Sequence, residues 1–408
     1  MVRHHNELPE PTVVHLHGGH TPADSDGYPT DLVLPAGTAL STHDATAALG
    51  DMGHAHGDTA HGERAYTYPM NQRAAALWYH DHRMGYTGPG VWRGLAGFHL
   101  VHDDEEDALP LPRGGRDIPL MITDRSFAED GSFHYPALHA APGVTDPYMN
   151  GVLGDVILVN GAPWPTLAVE RLRHRLRILN ASNARDYRLP PPPGGGGLVQ
   201  IGGDGGLLER PLAHDTIDMS PAERFDVVID FARYRPGSRV RLVNRLGSGT
   251  TAEIMRFDVS PARHAPRDDS RIPDHLSTLA ALDPARAAAT RSFVFQRTHG
   301  NADWTINGHP YHPGRPLARP KLGTTEIWRF TTDLNHPVHV HLNQFQVLSR
   351  NGGQPGLHDA GWKDTVNLRA AEVVEVAVRF TDYPGNFMLH CHNLEHEDMA
   401  MMADFTTS

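Results

Sequence analysis

The residues of this sequence best suited to chemistry are its single cysteine and ten of its 29 histidines, which lie in four short segments. The ten are His15 and His17, then His80 and His82, then His336, His339 and His341, and finally His390, His392 and His396. Each segment contains two histidines separated by one residue. Side chains two residues apart on a β-strand point to the same face, so both imidazoles of such a pair can converge on one site. Imidazole binds copper, zinc, iron or nickel, and the four segments therefore indicate metal sites.

The fourth segment narrows the choice of metal, because it also holds the cysteine and continues to a methionine. A thiolate with two histidines and a weak axial methionine is the ligand set of a blue-copper electron-transfer site. Cys391, His396 and Met401 would supply three of these ligands from one loop, and His336 would supply the second histidine from a distant strand. The other eight histidines suit a cluster of three further copper ions.

Two other interpretations of these segments compete with copper. A zinc hydrolase would use histidines, but zinc does not need ten of them together with a cysteine and a methionine. The histidines could also be ordinary side chains of a histidine-rich chain. Four segments of one pattern, with the only cysteine inside one of them, weigh strongly against that explanation.

Strand patterns recur along the chain and indicate an all-β protein. Apolar residues alternate with polar or charged ones over 173–179 and 372–380, for example, and the best helical pattern is an alanine-rich stretch near 278–289. Short strands separated by glycine and proline favour β-sandwiches over βαβ units. An acidic and then Pro/Gly-rich stretch at 103–117 and an irregular stretch at 260–291 look like boundaries. The predicted domains are 1–105, 115–260 and 290–408.

Composition limits the classes of function. The chain has 408 residues, too many for one hydrophobic core, and its 39% hydrophobic and 21% charged residues are typical of a globular protein. A formal net charge of -12 argues against a nucleic-acid partner, and no apolar run is long enough to span a bilayer. No signal peptide is visible. One cysteine excludes an intramolecular disulfide, so cysteine usage does not reveal the compartment.

Several longer stretches resemble the multicopper oxidases, and most closely the bacterial spore-coat laccases, bilirubin oxidase and phenoxazinone synthase. The stretches are HLHGGHTPADSDGYP, WYHDHRMG, LVNGAPWP, LRILNASNARDY, IGGDGGLL, GTTEIW, GWKDT and HCHNLEHEDMAMM. The similarity extends over nearly the whole chain. The resemblance implies three cupredoxin-like Greek-key β-sandwich domains. It also implies a laccase-like enzyme that couples one-electron oxidation of phenolic or aromatic amine donors to four-electron reduction of O2 to water.

The resemblance further implies four copper ions, of which one is type 1, one is type 2 and two are type 3. The implied ligands are His336, Cys391, His396 and axial Met401 for type 1, His15 and His339 for type 2, His17, His80 and His392 for one type 3 ion, and His82, His341 and His390 for the other. Met402 is an alternative axial ligand, but the spacing from His396 favours Met401.

The implied electron route runs between the two kinds of site. A small aromatic donor would give up its electron near the type 1 copper, at the edge of His336. Cys391 would carry the electron onward, because it is covalently flanked by His390 and His392.

Reduction of O2 also consumes protons, so acidic residues are expected near the cluster. Glu397 matches the family's acidic position and is the first candidate proton donor, and Asp26 matches an acid near the type 2 copper. Asp81 lies between two ligands and would point away from the metal, so a structural role or a hydrogen bond to a ligand suits it better.

The chain departs from the family at its start. Many more residues precede the HLHGG motif in spore-coat laccases, whereas fourteen precede it here. We therefore expect an N-terminally truncated first domain, and we favour a true start upstream or a partial chain as the reason. The alternative is that a partner completes the sheet, which would favour a homo-oligomer. Cytoplasmic, surface and secreted locations all stay open.

Alternatives also stay open for the activity. Bilirubin oxidase, phenoxazinone synthase and a cuprous-ion oxidase are other enzymes of the family, although the 12 methionines form no cluster of the kind that a cuprous-ion oxidase often carries. A non-catalytic copper-binding or coat protein is the alternative outside the enzymes, and it would apply if a truncated first domain disabled the cluster of three ions.

Overall fold

The computed structural model describes residues 1–37, 57–136, 151–195, 197–262, 267–298 and 304–408. Strands dominate this part of the chain, as predicted. Its α-helices are short: α1 (Thr87–Trp92), α2 (Asp104–Ala108) and α3 (Leu394–Asp398). Within these residues, no helix has the length and apolar character needed to cross a membrane. Residues 278–289 form only a single 3-10 turn, Pro284–Arg286, before the next strand begins, so the helical pattern there is wrong.

Seven strands make up the N-terminal part of the structure. They are β1 (Val2–His5), β2 (Val14–His17), β3 (Val33–Leu34), β4 (Ala60–His61), β5 (Glu63–Tyr66), β6 (Ala75–Asp81) and β7 (Ala96–Val101). β1 pairs with β5 and β3 with β4, while β2, β6 and β7 form an antiparallel sheet in that order. This three-stranded sheet carries the first two histidine segments.

Thirteen strands follow among the described residues of the middle of the chain. They are β8 (Asp117–Phe127), β9 (Phe133–His134), β10 (Val156–Val159), β11 (Ala162–Pro163), β12 (Thr166–Val169), β13 (Arg173–Asn180), β14 (Tyr187–Leu189), β15 (Leu198–Gly203), β16 (Gly206–His214), β17 (Ile217–Met219), β18 (Arg224–Asp230), β19 (Arg239–Val243) and β20 (Glu253–Val259). The large sheet has the order β11, β10, β8, β13, β18, β15, β16, with β9 paired to β8. β12, β20 and β19 form a second sheet, and β14 pairs with β17.

Nine strands in two sheets form the C-terminal part, as far as the structure describes it. They are β21 (Ala289–Arg297), β22 (Trp304–Ile306), β23 (Thr325–Thr332), β24 (His336–Val340), β25 (Phe345–Arg350), β26 (Thr365–Leu368), β27 (Val373–Arg379), β28 (Gly385–Cys391) and β29 (Met402–Thr407). The sheet orders are β22, β21, β23, β27, β25 and β26, β24, β28, β29. Strand β27 shows why alternating apolar residues predict a strand. Every second residue, Val374, Val376 and Val378, is buried in the core between the sheets.

Each group of strands has an apolar core of its own. The N-terminal core surrounds Leu16 and Leu77 and is small, whereas the middle and C-terminal cores are large and contain Phe225 and Trp328 respectively. A separate core is what defines a folding unit. We therefore propose the three domains at the predicted bounds.

Candidate metal centres

One strand pair separates a cysteine site from a histidine site. β24 pairs with β28 so that Val338 lies opposite Cys391 and His339 lies opposite His390. Side chains alternate between the two faces of a sheet, so Cys391 shares the face of Val338 and His336, while His339 and His390 share the opposite face. The sequence predicted two kinds of site, and this register puts them back to back.

The cysteine site is compact and buried. Cys391 Sγ lies 3.4 Å from His336 Nδ1 and 3.7 Å from His396 Nδ1, and the two nitrogens are 3.1 Å apart. Trp304 stacks on the His396 ring with centroids 3.8 Å apart. Burial raises the pKa of the Cys391 thiol well above its usual range, so a thiolate there requires a cation beside it. A metal ion held between these three atoms would supply that cation.

The structure also distinguishes the two candidate axial methionines. Met401 is fully buried and belongs to the same apolar core as Cys391, and its backbone N–H donates to the carbonyl of His396 at 3.0 Å. Met402 belongs to a different cluster, with Tyr28 and other residues. This placement supports Met401, although its assignment as a ligand stays a proposal.

The other eight histidines form one buried group that the first and third domains share. Three sets of ligand atoms lie within 4.8 Å of one another, namely His15, His17 and His80, then His15, His339 and His341, then His82, His341 and His390. The His392 ring lies 5.0 Å from that of His17 and 5.3 Å from that of His80, centroid to centroid. All ten histidines of the sequence prediction are thus brought into the two sites, along with Cys391.

The orientation of the rings fits metal binding. The Nδ1 atoms of His15, His80 and His339 lie 2.5–2.9 Å from backbone carbonyl oxygens, while their Nε2 atoms are buried with no hydrogen-bond partner among the described residues. His17 is reversed, with Nε2 3.0 Å from Asp364 Oδ1, while its Nδ1 has no hydrogen-bond partner within the described ranges. Metal-ligating histidines commonly donate their other ring N–H to a carbonyl or carboxylate in this way.

The surroundings of these imidazoles keep them neutral, which is the form that binds metal. Burial, reinforced by the neighbouring histidines, lowers the pKa of His15, His17 and His339 well below the usual range. The same causes lower the pKa of His80 to about 3, and burial lowers that of His82 to about 4. Neutral imidazole is the ligand form, so the site does not have to release protons before an ion enters.

Glu397 lies against the type 3 candidates, as the sequence predicted. Its Oε2 lies 3.1 Å from His390 Nδ1, and its Oε1 lies 3.6 Å from His82 Nδ1 and accepts a hydrogen bond from the Thr87 hydroxyl at 2.7 Å. Burial raises the pKa of this carboxyl, but His390 and His82 outweigh burial and hold it well below the usual range. Glu397 is therefore a carboxylate at rest and must take up a proton before it can donate one.

The other two acids lie at the same group of histidines. Asp26 Oδ2 lies 2.7 Å from His341 Nδ1, and burial raises the pKa of Asp26 well above its usual range. Asp81 accepts the backbone N–H of Val13 at 2.9 Å and its carbonyl faces His80. Asp81 thus has the structural and ligand-orienting contacts expected of it.

A cavity of about 410 Å³ opens beside the cysteine site. His396, Asp186, Leu153 and Leu334 contribute to its wall, and the two leucines are 56% and 44% exposed. His336, which the sequence analysis named as the point of electron entry, is fully buried and does not line the cavity. We therefore propose His396, in place of His336, as the residue through which the electron of the donor enters. The sequence does not reveal which histidine lines the cavity, because the loops that form its wall are distant from one another along the chain.

Comparison with known proteins agrees with this geometry. A family model described as multicopper oxidase matches residues 286–408. The laccase of Bacillus subtilis (strain 168) is 38% identical over 98% of this chain and 80% of its own length, and the bilirubin oxidase of Albifimbria verrucaria is 35% identical over 100% and 69%. The structure of a laccase from Pediococcus acidilactici Pa5930 superposes with a TM-score of 0.83 at 32% identity, covering 100% of this chain and 80% of that one.

The chain belongs to the multicopper oxidase family. It is a copper-dependent oxidoreductase that uses O2, and its function is laccase-like. The family, the cupredoxin-like β-fold and the laccase-like function predicted from the sequence are confirmed.

Proposed function

We propose that this chain binds four copper ions and oxidises small phenolic or aromatic amine donors one electron at a time. The proposed ligands are those that the sequence implied, with His336, Cys391, His396 and Met401 for type 1, His15 and His339 for type 2, and His17, His80, His392, His82, His341 and His390 for the type 3 pair. When bound, copper supplies a one-electron acceptor at the cysteine site and the capacity to reduce O2 to water at the histidine site.

The observation that carries the proposal is the back-to-back arrangement on β28. Cys391 faces one site, and the adjacent His390 and His392 face the other. The peptide bonds on either side of Cys391 therefore link the two sites, which makes a short through-bond path for electrons. An electron carrier would need only the cysteine site, so the eight buried histidines speak against that alternative.

The cavity beside His396 supports a small aromatic donor. Its walls combine exposed leucines with the carboxylate of Asp186, so they suit a flat apolar ring that carries a hydroxyl or amine. A donor there would lie against His396, whose Nδ1 is 3.7 Å from Cys391 Sγ. Burial raises the pKa of Asp186 to about 6, which suits it to accept the proton that a phenol releases on oxidation.

Protons for O2 reduction are the second task of the chain. We assign their delivery to Glu397, which contacts His390 and His82, and we assign Asp26 to the His341 side of the same cluster. The possible homo-oligomer and the absence of a nucleic-acid partner stay predictions from the sequence. The sequence makes no prediction of the cellular location.

The test combines copper stoichiometry with oxygen uptake. The chain is loaded with copper, the ratio of copper to protein is measured, and O2 consumption is followed with a phenolic donor. Four ions per chain, a strong blue colour and water as the product would support the proposal. One ion without O2 uptake would refute it in favour of a carrier, and a colourless protein with four ions would refute the assignment of Cys391.

A further inference from the structure

Arg224 lies at the point where the three proposed domains meet behind the eight-histidine group. It is the first residue of β18, in the middle domain, which contributes none of the ten histidines. Its side chain is 1% exposed. A buried guanidinium is retained only where its donors are satisfied, so its partners identify what it does.

Those partners come from all three domains. Nε donates to the carbonyl of Ala76 in the first domain at 3.0 Å, and Nη1 donates to the carbonyl of Ala222 in the middle domain at 2.9 Å. Towards the third domain, Nη1 donates to Asp364 Oδ1 at 2.7 Å and Nη2 donates to Asp364 Oδ2, so the guanidinium and the carboxylate form a bidentate pair. Bidentate pairs fix orientation as well as adding binding energy.

Asp364 in turn touches one histidine from each outer domain. Its Oδ1 lies 3.0 Å from His17 Nε2, and its backbone carbonyl lies 2.8 Å from His339 Nδ1. The hydroxyl of Thr365, the next residue, lies 3.1 Å from the same His17 nitrogen. The free nitrogen of each ring is therefore turned towards the interior of the histidine group.

A second layer of charges holds the pair in place. Lys363 Nζ lies 3.2 Å from Asp204 Oδ2 and 3.1 Å from Glu223 Oε1, and the backbone N–H of Arg224 donates to Asp204 Oδ1 at 2.8 Å. All of these side chains are buried. The arrangement around Arg224 is thus fixed on the side away from the histidines as well.

Gly18, directly after His17, leaves room for this contact. A Cβ at Gly18 would lie 2.7 Å from Asp364 Oδ2 and 2.8 Å from Arg224 Nη2, and the glycine has a φ of +81°. Both the space and the backbone conformation there exclude an ordinary side chain. The HLHGG motif therefore contains a residue that admits the Arg224–Asp364 pair beside a proposed ligand.

We propose that Arg224 is a positioning residue for the histidine cluster. Acting through Asp364, it sets the ring orientation of His17 and His339 and so the affinity for the ions that these two histidines would bind. Removal of a residue that orients a metal ligand typically lowers metal affinity or activity roughly 10- to 100-fold. The inference rests on the proposed ligand assignment, and it gives the middle domain a direct part in the metal site.

Arg224→Met and Arg224→Lys test this, with Arg177→Met as the matched control. Arg177 is also 1% exposed, lies on the neighbouring strand β13 and pairs with buried or partly buried carboxylates, Glu106 and Asp117, but contacts no proposed ligand. Three quantities are measured: copper affinity by competition with a chelator, the electron paramagnetic resonance spectrum of the type 2 ion, and the melting temperature of the copper-free protein.

We expect Arg224→Met to weaken type 2 copper binding about 10- to 100-fold and to change its resonance spectrum, while the blue absorption of the cysteine site is kept. Arg224→Lys keeps the positive charge but cannot form the bidentate pair with Asp364. The resonance spectrum should therefore change, with a smaller loss of copper affinity. Arg177→Met should lower the melting temperature without changing either copper measurement. If Arg224→Met does not fold, the spectrum of Arg224→Lys decides.

Two results would overturn this inference without affecting the proposed function. One is a normal wild-type spectrum that neither Arg224 variant changes, and the other is an equal loss of type 2 copper in Arg177→Met. A wild-type chain that shows no type 2 signal at full copper loading would instead overturn the proposed function, and the inference with it.

Discussion

Glu397→Gln tests the proton-transfer role, because the substitution keeps the size of the side chain and removes its ability to carry a proton. The glutamine oxygen can still accept the hydrogen bond of Thr87, which is 2.7 Å long in the native protein. Its amide group then faces His390 Nδ1, from which Glu397 Oε2 is 3.1 Å away. Two N–H donors would point at each other where a carboxylate now faces a donor.

The expected loss of rate follows from two effects of the substitution, namely the loss of proton transfer and the disturbed contact with His390. Removing a general acid or base lowers a rate by roughly 100- to 10,000-fold, and disturbing a group that orients metal ligands costs roughly 10- to 100-fold. Water can replace part of the proton transfer at the histidine group, so we expect O2 reduction to slow about 100-fold. That change corresponds to about 3 kcal/mol in the activation free energy.

Stopped-flow absorption separates the affected step from the others. Bleaching of the blue band under anaerobic conditions reports electron entry at the cysteine site and should be unchanged. Recovery of the band after mixing with O2 should be slow. Glu395→Gln is the matched control, because Glu395 is buried on the same helix α3 but binds Tyr135, Val152 and Asn183 instead of a histidine.

The reasoning is refuted if the reduced Glu397→Gln protein reoxidises at the wild-type rate. It also fails if Glu395→Gln slows reoxidation to the same extent, because the effect would then come from the helix and not from the carboxylate beside His390.

Four further predictions concern the copper ions and the donor. Cys391→Ser should abolish the blue colour and turnover, and retained oxidation of a phenol would show that the electron route is wrong. Met401→Leu should keep the colour but shift the reduction potential of the type 1 site, whereas Met402→Leu, which alters the separate Tyr28 cluster, should leave the potential unchanged. We assign proton acceptance to ionised Asp186, whose pKa burial raises to about 6, so phenol oxidation should increase as pH rises through about 6. Asp186→Asn should remove that increase, while oxidation of a donor without an ionisable proton is unaffected. Removing copper should lower the free energy of unfolding by about 4 kcal/mol per site saturated at 1,000 times its Kd, and equal melting curves with and without copper would contradict binding to these buried sites.

The sequence by itself predicted the chemistry of the sites, because the proposed ligands come in short local patterns. A histidine pair with one residue between its members needs only strand geometry to converge, and Cys391 is covalently linked to His390 and His392 whatever the fold. Alternation of apolar residues in β27 likewise predicted strands without any tertiary information.

The tertiary structure alone decided which partners surround those ligands, because the partners are distant in sequence. Strand β13 illustrates the limit, since Arg175 and Arg177 alternate as surface residues would, yet both are buried in ion pairs with Glu106. The choice of His396 over His336 at the cavity depended on loops from two domains. Arg224 gives no local signal at all, because its importance lies in contacts with residues 148 and 140 positions away, Ala76 and Asp364. Spacing along the chain predicts the metal ligands, but only packing specifies which residues hold them in position.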